Sequence, residues 1–344
     1  MDGAGYHEVI SGRARGLTPS LARAALAACV PAYRTGLFLD RLRKRPQRVA
    51  TPVVSVGNLT CGGTGKTPVT AWLTRRMQAA GLRPGLLSRG YMADGDAGND
   101  EKQVLDALCP GVTHVQAADR VSAARSLENQ CDVLILDDGF QHRRLARDTD
   151  IVLIDALRPW GYGHLLPRGL LREPPSALRR ADLIVLTRVD ALTAASRQKL
   201  EWTVARFTDA PIATGQFRPT RLVSNRGTRV RPRDVSEVRA AAFCGLGNPA
   251  GFEATLASFG LLIPEGHFRR YPDHHAYSPR DLESLEEWAA SLGVDVLVTT
   301  RKDQVKVAPS HLGRVPVMAL DIEFEPVHRS ELFDTVLPRG RAAA

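Results

Sequence analysis

The stretch Val53-Val-Ser-Val-Gly-Asn-Leu-Thr-Cys-Gly-Gly-Thr-Gly-Lys-Thr67 joins an apolar strand to a glycine-rich turn. Several backbone N–H groups can point at one anion only where side chains are small, and the N-terminus of a following helix adds the positive end of its dipole. The stretch therefore predicts a phosphate-binding loop made of Thr60, Gly62, Gly63, Thr64, Gly65, Lys66 and Thr67.

Two side chains of this turn have expected roles. Lys66 should reach the terminal phosphates, and the hydroxyl of Thr67 should enter a Mg²⁺ shell. The match to G-x-x-x-x-G-K-[ST] is incomplete because Thr60 replaces the first Gly. The alternative is a glycine-rich turn in an ordinary βα unit. The strand before the turn and the helix-forming segment after it favour nucleotide binding.

Outward from the turn, apolar strands alternate with helices. The predicted strands are 53–56, 84–88, 133–136, 151–154 and 183–186, and the predicted helices are 69–80 and 120–127. Continuous apolar strands between helices indicate a parallel sheet covered on both faces. The expected fold class is α/β, with a P-loop NTPase-like, mostly parallel sheet and a smaller C-terminal α/β domain joined by a hairpin linker.

The expected domain organisation follows shifts in composition. The divisions are a basic amphipathic segment at 1–48, a P-loop core at 49–216, a hairpin linker at 217–238, a C-terminal α/β domain at 239–337 and a tail at 338–344. Alternating polar and β-branched residues around Asn225 and Gly227 predict the hairpin.

A second acidic motif ends the apolar strand at Leu134. Asp137 and Asp138 follow it directly, and in P-loop enzymes a carboxylate at this position completes the Mg²⁺ shell. The two side chains should point to different sides and differ in role. The alternative is an Asp that caps a turn at the end of the strand.

The net charge of +9 is concentrated near the N-terminus. Residues 11–50 contain nine basic side chains against one acid, Asp40, and apolar residues recur among them at helical spacing. This predicts an amphipathic basic helix, broken near Pro31, that suits a membrane surface better than nucleic acid. The alternative is a helix packed on the core with a solvated face.

Composition narrows the class of protein further. The longest uncharged run of this region, 24–33, is far below the ~20 residues that span a bilayer, and basic residues interrupt every candidate signal peptide. Five scattered cysteines propose neither a disulfide framework nor a zinc site. With neither a spanning segment nor a signal peptide predicted, we expect a location on the cytoplasmic side. With 6% aromatic residues and no RNA-binding run, we expect no nucleic-acid partner.

Two later motifs leave their roles open. In Tyr271-Pro-Asp-His-His-Ala-Tyr277, a histidine polarised by a carboxylate could serve as a base or orient one, and a metal site lacks a third local ligand. In Thr299-Thr-Arg-Lys-Asp-Gln-Val-Lys306, the cations could hold phosphate or simply mark the start of a solvated helix.

Together the motifs resemble the tetraacyldisaccharide 4′-kinase family, the lipid A 4′-kinases. The resemblance is carried, in family order, by 55–60 with 62–67, Ser88-Arg-Gly-Tyr91, Asp137-Asp-Gly-Phe-Gln-His142, Leu171-Arg-Glu-Pro174, Pro272-Asp-His-His275 and Thr300-Arg-Lys-Asp-Gln-Val-Lys306. A Thr at the position of Thr60 is ordinary in this family.

The resemblance implies the reaction and the partners. The family transfers the γ-phosphoryl group of ATP, with Mg²⁺, to the 4′-hydroxyl of a tetraacyldisaccharide 1-phosphate. That acceptor is an anionic glycolipid at the cytoplasmic face of the inner membrane, so a peripheral location is expected, and the basic N-terminal segment would supply apolar insertion and attraction to anionic headgroups.

The resemblance also implies the site residues. By motif match, Asp100 acts with His274 as the base, and Glu101 with the Asp137/Asp138 pair holds Mg²⁺ or orders the site. Two arginines near the phosphates match Arg120 and Arg172. The chain departs from the family at one place, because its Gly-Asp-Glu-Pro run reads Asn99-Asp-Glu-Lys102 here.

Two other functions compete with this interpretation. A P-loop GTPase or metallochaperone is suggested by Thr187-Arg-Val-Asp190, a near miss to the guanine-reading [NT]-K-x-D motif, but Asp137-Asp-Gly-Phe lacks the D-x-x-G spacing. A membrane or nucleic-acid adaptor that uses nucleotide only structurally would leave the Asp100 and His274 motifs unexplained.

Overall fold

The computed structural model describes residues 3–90, 99–231, 234–235, 238–247, 249–273, 275–307 and 309–338. The chain divides into two compact units. The first comprises Met1–Phe217 and Phe324–Ala344, and the second is Arg218–Glu323. His274, Tyr91 and the tail from 339 onward lie outside the described residues.

The first unit is built on a parallel sheet. Its strands are β1 (Val53–Asn58), β2 (Pro84–Ser88), β3 (Thr113–Gln116), β4 (Val133–Asp137), β5 (Thr149–Asp155), β6 (Leu183–Thr187) and the start of β7 (Ile212–Ser224). Their order is β7-β6-β5-β1-β4-β2-β3, and every neighbouring pair is parallel. These positions confirm the predicted strands, and the carboxyl ends of β1 and β4 lie side by side.

The first unit also contains α-helices, several of which contact this sheet. They are α1 (Gly3–Ser11), α2 (Leu17–Arg43), α3 (Lys66–Ala79), α4 (Asp100–Leu108), α5 (Arg120–Ser126), α6 (Ala194–Ala205) and α10 (Leu332–Val336). Apolar clusters fill both faces. One packs α3 and Phe333 against Val54 and Ile151, and another packs Val152 and Ile184 under Leu178. The predicted α/β class is confirmed.

The second unit repeats the pattern on a smaller scale. Its elements are β8 (Arg229–Val230), β9 (Ala240–Cys244), α7 (Pro249–Phe259), β10 (Phe268–Arg270), α8 (Pro279–Leu292), β11 (Val296–Thr300), α9 (Arg301–Gln304), β12 (His311–Leu312) and β13 (Val315–His328). The strand order is β10-β9-β11-β13-β7. β10, β9, β11 and β13 run parallel, and β7 and β8 form the predicted hairpin.

The unit boundaries differ from the predicted division of the chain. The hairpin is part of the second unit's sheet, and the chain returns to the first unit from Phe324 onward. The reason is that β7 and β13 are long strands of 13 and 14 residues, and the chain crosses between the units inside them.

Helix α2 corrects the prediction of a break near Pro31. One helix of 27 residues runs through Pro31. A proline removes one backbone hydrogen bond, which the long helical stretches on both sides of it can tolerate. No residue of α2 is buried, and it carries five of the nine large apolar side chains found exposed among the described residues, namely Leu17, Leu21, Phe38, Leu39 and Leu42.

Two further observations concern the cysteines and the helices. All five cysteines are free, and Cys109, Cys131 and Cys244 are buried. Within the described ranges, no helix combines the length and the apolar character needed to cross a membrane.

Candidate active site

The glycine-rich turn connects β1 to α3 as predicted. Gly62 and Gly65 have φ angles of 107° and 84°, a region that side chains disfavour. At Gly65 a Cβ would lie 1.9 Å from the ring of Phe217, so space as well as backbone conformation requires glycine. The turn leads directly into α3, which begins at Lys66.

Asn58, the last residue of β1, braces this loop from inside. Its amide donates to the carbonyl of Thr60 at 2.8 Å and to the hydroxyl of Thr64 at 2.9 Å, and its Oδ1 lies 3.5 Å from Lys66 Nζ. Asn58 is fully buried. Because its partners are loop atoms, the side chain fixes the shape of the loop before a ligand arrives. Sequence reasoning assigned it no role.

Lys66 and Arg172 converge on Asp138. Lys66 Nζ lies 3.5 Å from Asp138 Oδ1, and Arg172 Nη1 donates to both carboxylate oxygens at 2.9 and 2.8 Å. Burial opposes ionisation of Asp138, but the charges of Lys66 and Arg172 outweigh it and lower the pKa to about 2. Asp138 therefore stays ionised and holds two cations beside the loop.

Gln141 joins this array to the strand. Its Nε2 donates to the backbone carbonyl of Asn58 at 2.8 Å, and its Oε1 accepts from Arg172 at 3.3 Å. It belongs to the Asp-Asp-Gly-Phe-Gln-His run, but only the pairing of β1 with β4 reveals its partners.

Asp137 has a different environment from its neighbour. It is 3% exposed, and its Oδ1 accepts from the hydroxyl of Thr70 in α3 at 2.8 Å. Burial, and then the charge of Glu101, raise its pKa to about 6. The two adjacent carboxylates therefore lie in different environments, while the expectation that they differ in role stays a prediction.

Arg120 is brought to the same place. It is 4% exposed, and its Nε has no hydrogen-bond partner among the residues that the structure describes. Burial lowers its pKa, while Asp138 raises it. The buried Nε2 of His142 is also without a partner, and burial together with Arg120 lowers the pKa of His142 to about 4. Unpaired buried nitrogens are costly, and ligand oxygens would satisfy them.

The remaining predicted residues divide between the two units. Thr67 is half-buried in the first turn of α3, and Asp100 and Glu101 open α4, all in the first unit. His274 belongs to the second unit and lies outside the described residues. Its neighbour His275 stacks on Tyr271 and bonds to Asp281, which caps α8.

The segment that follows Thr300 forms the short helix α9, but Asp303 and Gln304 are buried, so it is not the solvated helix start that the sequence suggested as one alternative. The other alternative, that its cations hold phosphate, stays a prediction. Thr300 caps α9, and Arg301 pairs with Asp321 at 2.5 Å. Asp303 is fully buried and accepts from Tyr277 and from the amide of Gly245, both at 3.1 Å. These contacts tie the helix to its own unit.

The near-miss guanine motif instead supports the phosphate loop. Thr187 Oγ1 donates to the carbonyl of Thr64 at 3.2 Å, and Arg188 Nη2 donates to the carbonyl of Gly63 at 3.1 Å. Arg188 also pairs with Asp155 at the end of β5. The side chains of Thr187 and Arg188 therefore hold the phosphate loop by bonding to its backbone carbonyls.

Comparison with known proteins decides the family. A family model described as tetraacyldisaccharide-1-P 4′-kinase matches residues 20–339. The chain belongs to this family. Named tetraacyldisaccharide 4′-kinases are similar to it over most of their length. The protein of Syntrophus aciditrophicus is 40% identical over 85% of this chain and 86% of the relative, and that of Geobacter sulfurreducens is 38% identical over 95% and 96%.

A solved structure supports the same conclusion. LpxK from Aquifex aeolicus, crystallised in complex with ATP, superposes with a TM-score of 0.71 at 27% identity, covering 92% of this chain and 99% of that one. The family resemblance, the kinase function and the P-loop fold predicted from the sequence are confirmed. The GTPase alternative is not favoured.

Proposed function

We propose that this tetraacyldisaccharide 4′-kinase family member transfers the γ-phosphoryl group of ATP to the 4′-hydroxyl of a tetraacyldisaccharide 1-phosphate, an anionic glycolipid, in lipid A biosynthesis. The observation that carries the proposal is the array of Lys66, Arg172 and Asp138 beside the glycine-rich turn. Phosphoryl transfer depends mainly on positioning and on neutralisation of charge, and this array supplies both.

The cations have distinct tasks. Lys66 and Arg172 are fixed by Asp138, so they need no reorganisation when phosphate oxygens arrive. Arg120 contributes a buried guanidinium whose Nε has no partner within the described part of the chain and can donate to an oxyanion. Thr60, Gly62, Gly63, Thr64, Gly65 and Thr67 complete the cradle through backbone N–H groups.

The same site fits Mg²⁺. Burial and the charge of Glu101 disfavour the ionised form of Asp137, an opposition that a divalent cation would relieve. In the described part of the chain, no three His, Cys, Asp or Glu side chains form a metal site alone. This suits Mg²⁺, which takes one or two carboxylates and completes its shell with water and phosphate oxygens. Thr67, Glu101, Asp137 and Asp138 would hold it, and when bound it neutralises developing charge on the phosphates.

Asp100 is proposed as the base, supported by His274 through the family's motifs. A sugar hydroxyl is a weak acid, so a positioned carboxylate need only accept its proton late in the transfer. In the structure Asp100 is the first residue of α4, and its Oδ1 accepts from the N–H of Glu101 at 3.0 Å.

Incubation with Mg²⁺-ATP and a tetraacyldisaccharide 1-phosphate tests the function. Lys66→Ala should lower kcat at least about 10²-fold because a cation is lost from the transition state. Asp100→Ala should lower kcat by about 10²-fold or more with little change in KM for ATP. Product formation by Lys66→Ala equal to that of the unaltered protein would refute the phosphate role. Unchanged kcat in Asp100→Ala would remove Asp100 as the base.

A peripheral position on the cytoplasmic face of the inner membrane completes the proposal. The exposed apolar side chains of α2 lie among the arginines of the N-terminal segment, a combination suited to anionic headgroups. Substitution of Leu21, Phe38 and Leu42 by Ser should reduce sedimentation with anionic phospholipid vesicles while leaving the fold intact. Leu262→Ser, at a still more exposed apolar site in the second unit, is the control. Full retention of the triple variant on vesicles would contradict the proposal.

A further inference from the structure

The N-terminus of α4 is gripped by Gln116, the last residue of β3. Gln116 Oε1 accepts from the backbone N–H of Asn99 at 3.1 Å, and its Nε2 donates to Asn99 Oδ1 at 2.9 Å. One amide side chain therefore makes two bonds to the residue that immediately precedes Asp100. Asn99 is also one of the two positions, with Lys102, where this chain departs from the family's Gly-Asp-Glu-Pro run. A glycine has no side chain to accept the second bond.

Asn99 connects Gln116 to the first turn of α4 through hydrogen bonds. Its Oδ1 accepts from the N–H of Lys102 at 3.0 Å, and its carbonyl accepts from the N–H of Gln103 at 3.1 Å. Its backbone is extended, with φ −84° and ψ 171°, and α4 begins at the next residue. The backbone N–H, the backbone carbonyl and Oδ1 of Asn99 thus all have partners. The cap bond to Lys102 fixes the start of the helix, and Gln116 fixes where that start lies relative to the sheet.

A second contact holds α4 two turns further on. His114, also in β3, lies with Nδ1 2.7 Å from Asp106 Oδ1 and Nε2 2.9 Å from Ser88 Oγ, and its side chain is 2% exposed. Ser88 ends β2, and Gln116 Nε2 lies 3.4 Å from the same hydroxyl. The helix is therefore attached at two points to β3, through Gln116 and His114, and Ser88 of the adjacent β2 in turn holds both of these side chains. It cannot rotate without breaking both contacts.

We propose that Gln116 is a positioning residue for phosphoryl transfer, which holds Asp100 in place through its two bonds to Asn99. The inference rests on the proposed role of Asp100 as the base. Asn99 can cap the helix without Gln116, so the bonds of Gln116 are not needed for α4 to form. They determine the placement of its first residue, and displacement of a catalytic group by about 1 Å can cost about 10²-fold in rate.

Gln116→Met tests the inference, because methionine keeps the length of the side chain and removes both hydrogen-bonding groups. We expect kcat to fall at least about tenfold, with KM for ATP within about twofold, since the phosphate loop is untouched. Thr113→Ala, an exposed substitution in the same strand, should leave kcat unchanged. Gln116→Glu, which retains an acceptor for the Asn99 N–H but no donor, should lose less than Gln116→Met.

A double-mutant cycle that combines Gln116→Met with Asp100→Asn separates the positioning role of Gln116 from the role of Asp100 as the base. Residues that act as a unit are not additive, so Gln116→Met should lower kcat no further in the Asp100→Asn background. If Asp100→Asn lowers kcat but Gln116→Met does not, the positioning role is wrong and the base assignment stands. If Gln116→Met lowers kcat equally in both backgrounds, it acts independently of Asp100 and the inference is overturned. If Asp100→Asn leaves kcat unchanged, the base assignment fails and the inference fails with it.

Thermal unfolding of each variant controls for folding. If Gln116→Met unfolds, Gln116→Glu carries the same cycle, with a smaller expected loss. A drop in kcat that appears only together with loss of the folded state, in both variants, would assign Gln116 a structural role and overturn the inference.

Discussion

Two adjacent carboxylates show how strongly position controls ionisation at the scale of the residue. Asp137 ends β4 and points towards Thr70, where burial raises its pKa to about 6. Asp138 has a φ of 49°, so the backbone turns and its side chain meets Lys66 and Arg172. Despite burial, these cations lower its pKa to about 2. Of these two consecutive residues, the fold disfavours the ionised form of Asp137 and stabilises the ionised form of Asp138.

The raised pKa of Asp137 predicts a pH-dependent stability difference. The folded state binds a proton at Asp137 more tightly than the unfolded state, so this residue reduces stability as pH rises from about 4 to about 6. Asp137→Asn should therefore be more stable than the unaltered protein above pH 6, by up to about 3 kcal/mol, because two pKa units correspond to about that much. The difference should vanish below about pH 4.

Urea unfolding at pH 4, 6 and 8, without nucleotide or magnesium, measures this effect. Equal free energies of unfolding for both proteins at pH 8 would contradict it. The same substitution should lower kinase activity if Asp137 holds the metal, so stability and activity are expected to change in opposite directions.

At the scale of the element, the segment 170–173 links α2 to the phosphate loop. Its backbone pairs with the loop, since Cys61 N–H donates to the carbonyl of Leu170 and Arg172 N–H donates to that of Leu59, both at 2.7 Å. On the helix side, Tyr33 donates to the carbonyl of Arg172 at 3.0 Å. Helix α2 thus contacts the segment that carries Arg172 into the site.

Arg41 anchors α2 to this segment by an ion pair with Glu173 at 2.8 Å. Glu173 is buried and also pairs with Arg143 and Arg180, so it keeps two cations when Arg41 is removed. Arg41→Ala should therefore cost about 1–2 kcal/mol of unfolding free energy, a loss typical of one charged hydrogen bond. It should also increase proteolysis of α2. Arg43→Ala, on the exposed side of the same helix, should change stability by less than about 0.5 kcal/mol.

Thermal unfolding and limited proteolysis of both variants make this comparison. If Arg43→Ala destabilised the protein as much as Arg41→Ala, a general effect of charge on α2 would explain the result, and the anchor would be excluded.

At the scale of the whole molecule, the last part of the chain completes the core of the first unit. Phe324 and Phe333 are almost fully buried there, and their rings lie 5.4 and 4.7 Å from that of Trp72 in α3. These residues follow the entire second unit in sequence. The first unit is therefore incomplete until the chain has returned to it.

Phe333→Ala should lower the free energy of unfolding by about 3–5 kcal/mol, because it leaves a cavity beside Trp72. Phe38→Ala, which alters an exposed ring on α2, is the matched control and should have little effect in solution. Chemical denaturation followed by circular dichroism distinguishes them. A loss below about 1 kcal/mol in Phe333→Ala would show that the C-terminal segment is dispensable for this core.

The sequence by itself determined the strands of the first unit, the glycine-rich turn and the carboxylates that end β4. These features depend on residues adjacent in the chain, where an apolar run or a glycine at positive φ has a local physical cause. The order of motifs also identified the family. The tertiary structure decided which polar side chains contact each other, and local sequence patterns do not contain this information. Asn58, Gln141 and Gln116 gain their partners only because particular strands lie side by side, and polar side chains of this kind carry no periodic signal.

The same distinction explains why the predicted helix break near Pro31 is wrong. The break is predicted from the missing N–H of Pro31 alone. The hydrogen bonds of the helical residues on both sides of Pro31 outweigh the loss of that one backbone hydrogen bond. The polar pattern at 217–238 predicts a hairpin, but it carries no sign that β7 extends through both units and pairs with strands far away in sequence. Local chemistry can be read along the chain. Only the tertiary structure shows which distant segments pair as strands, pack in one core or form a hydrogen bond.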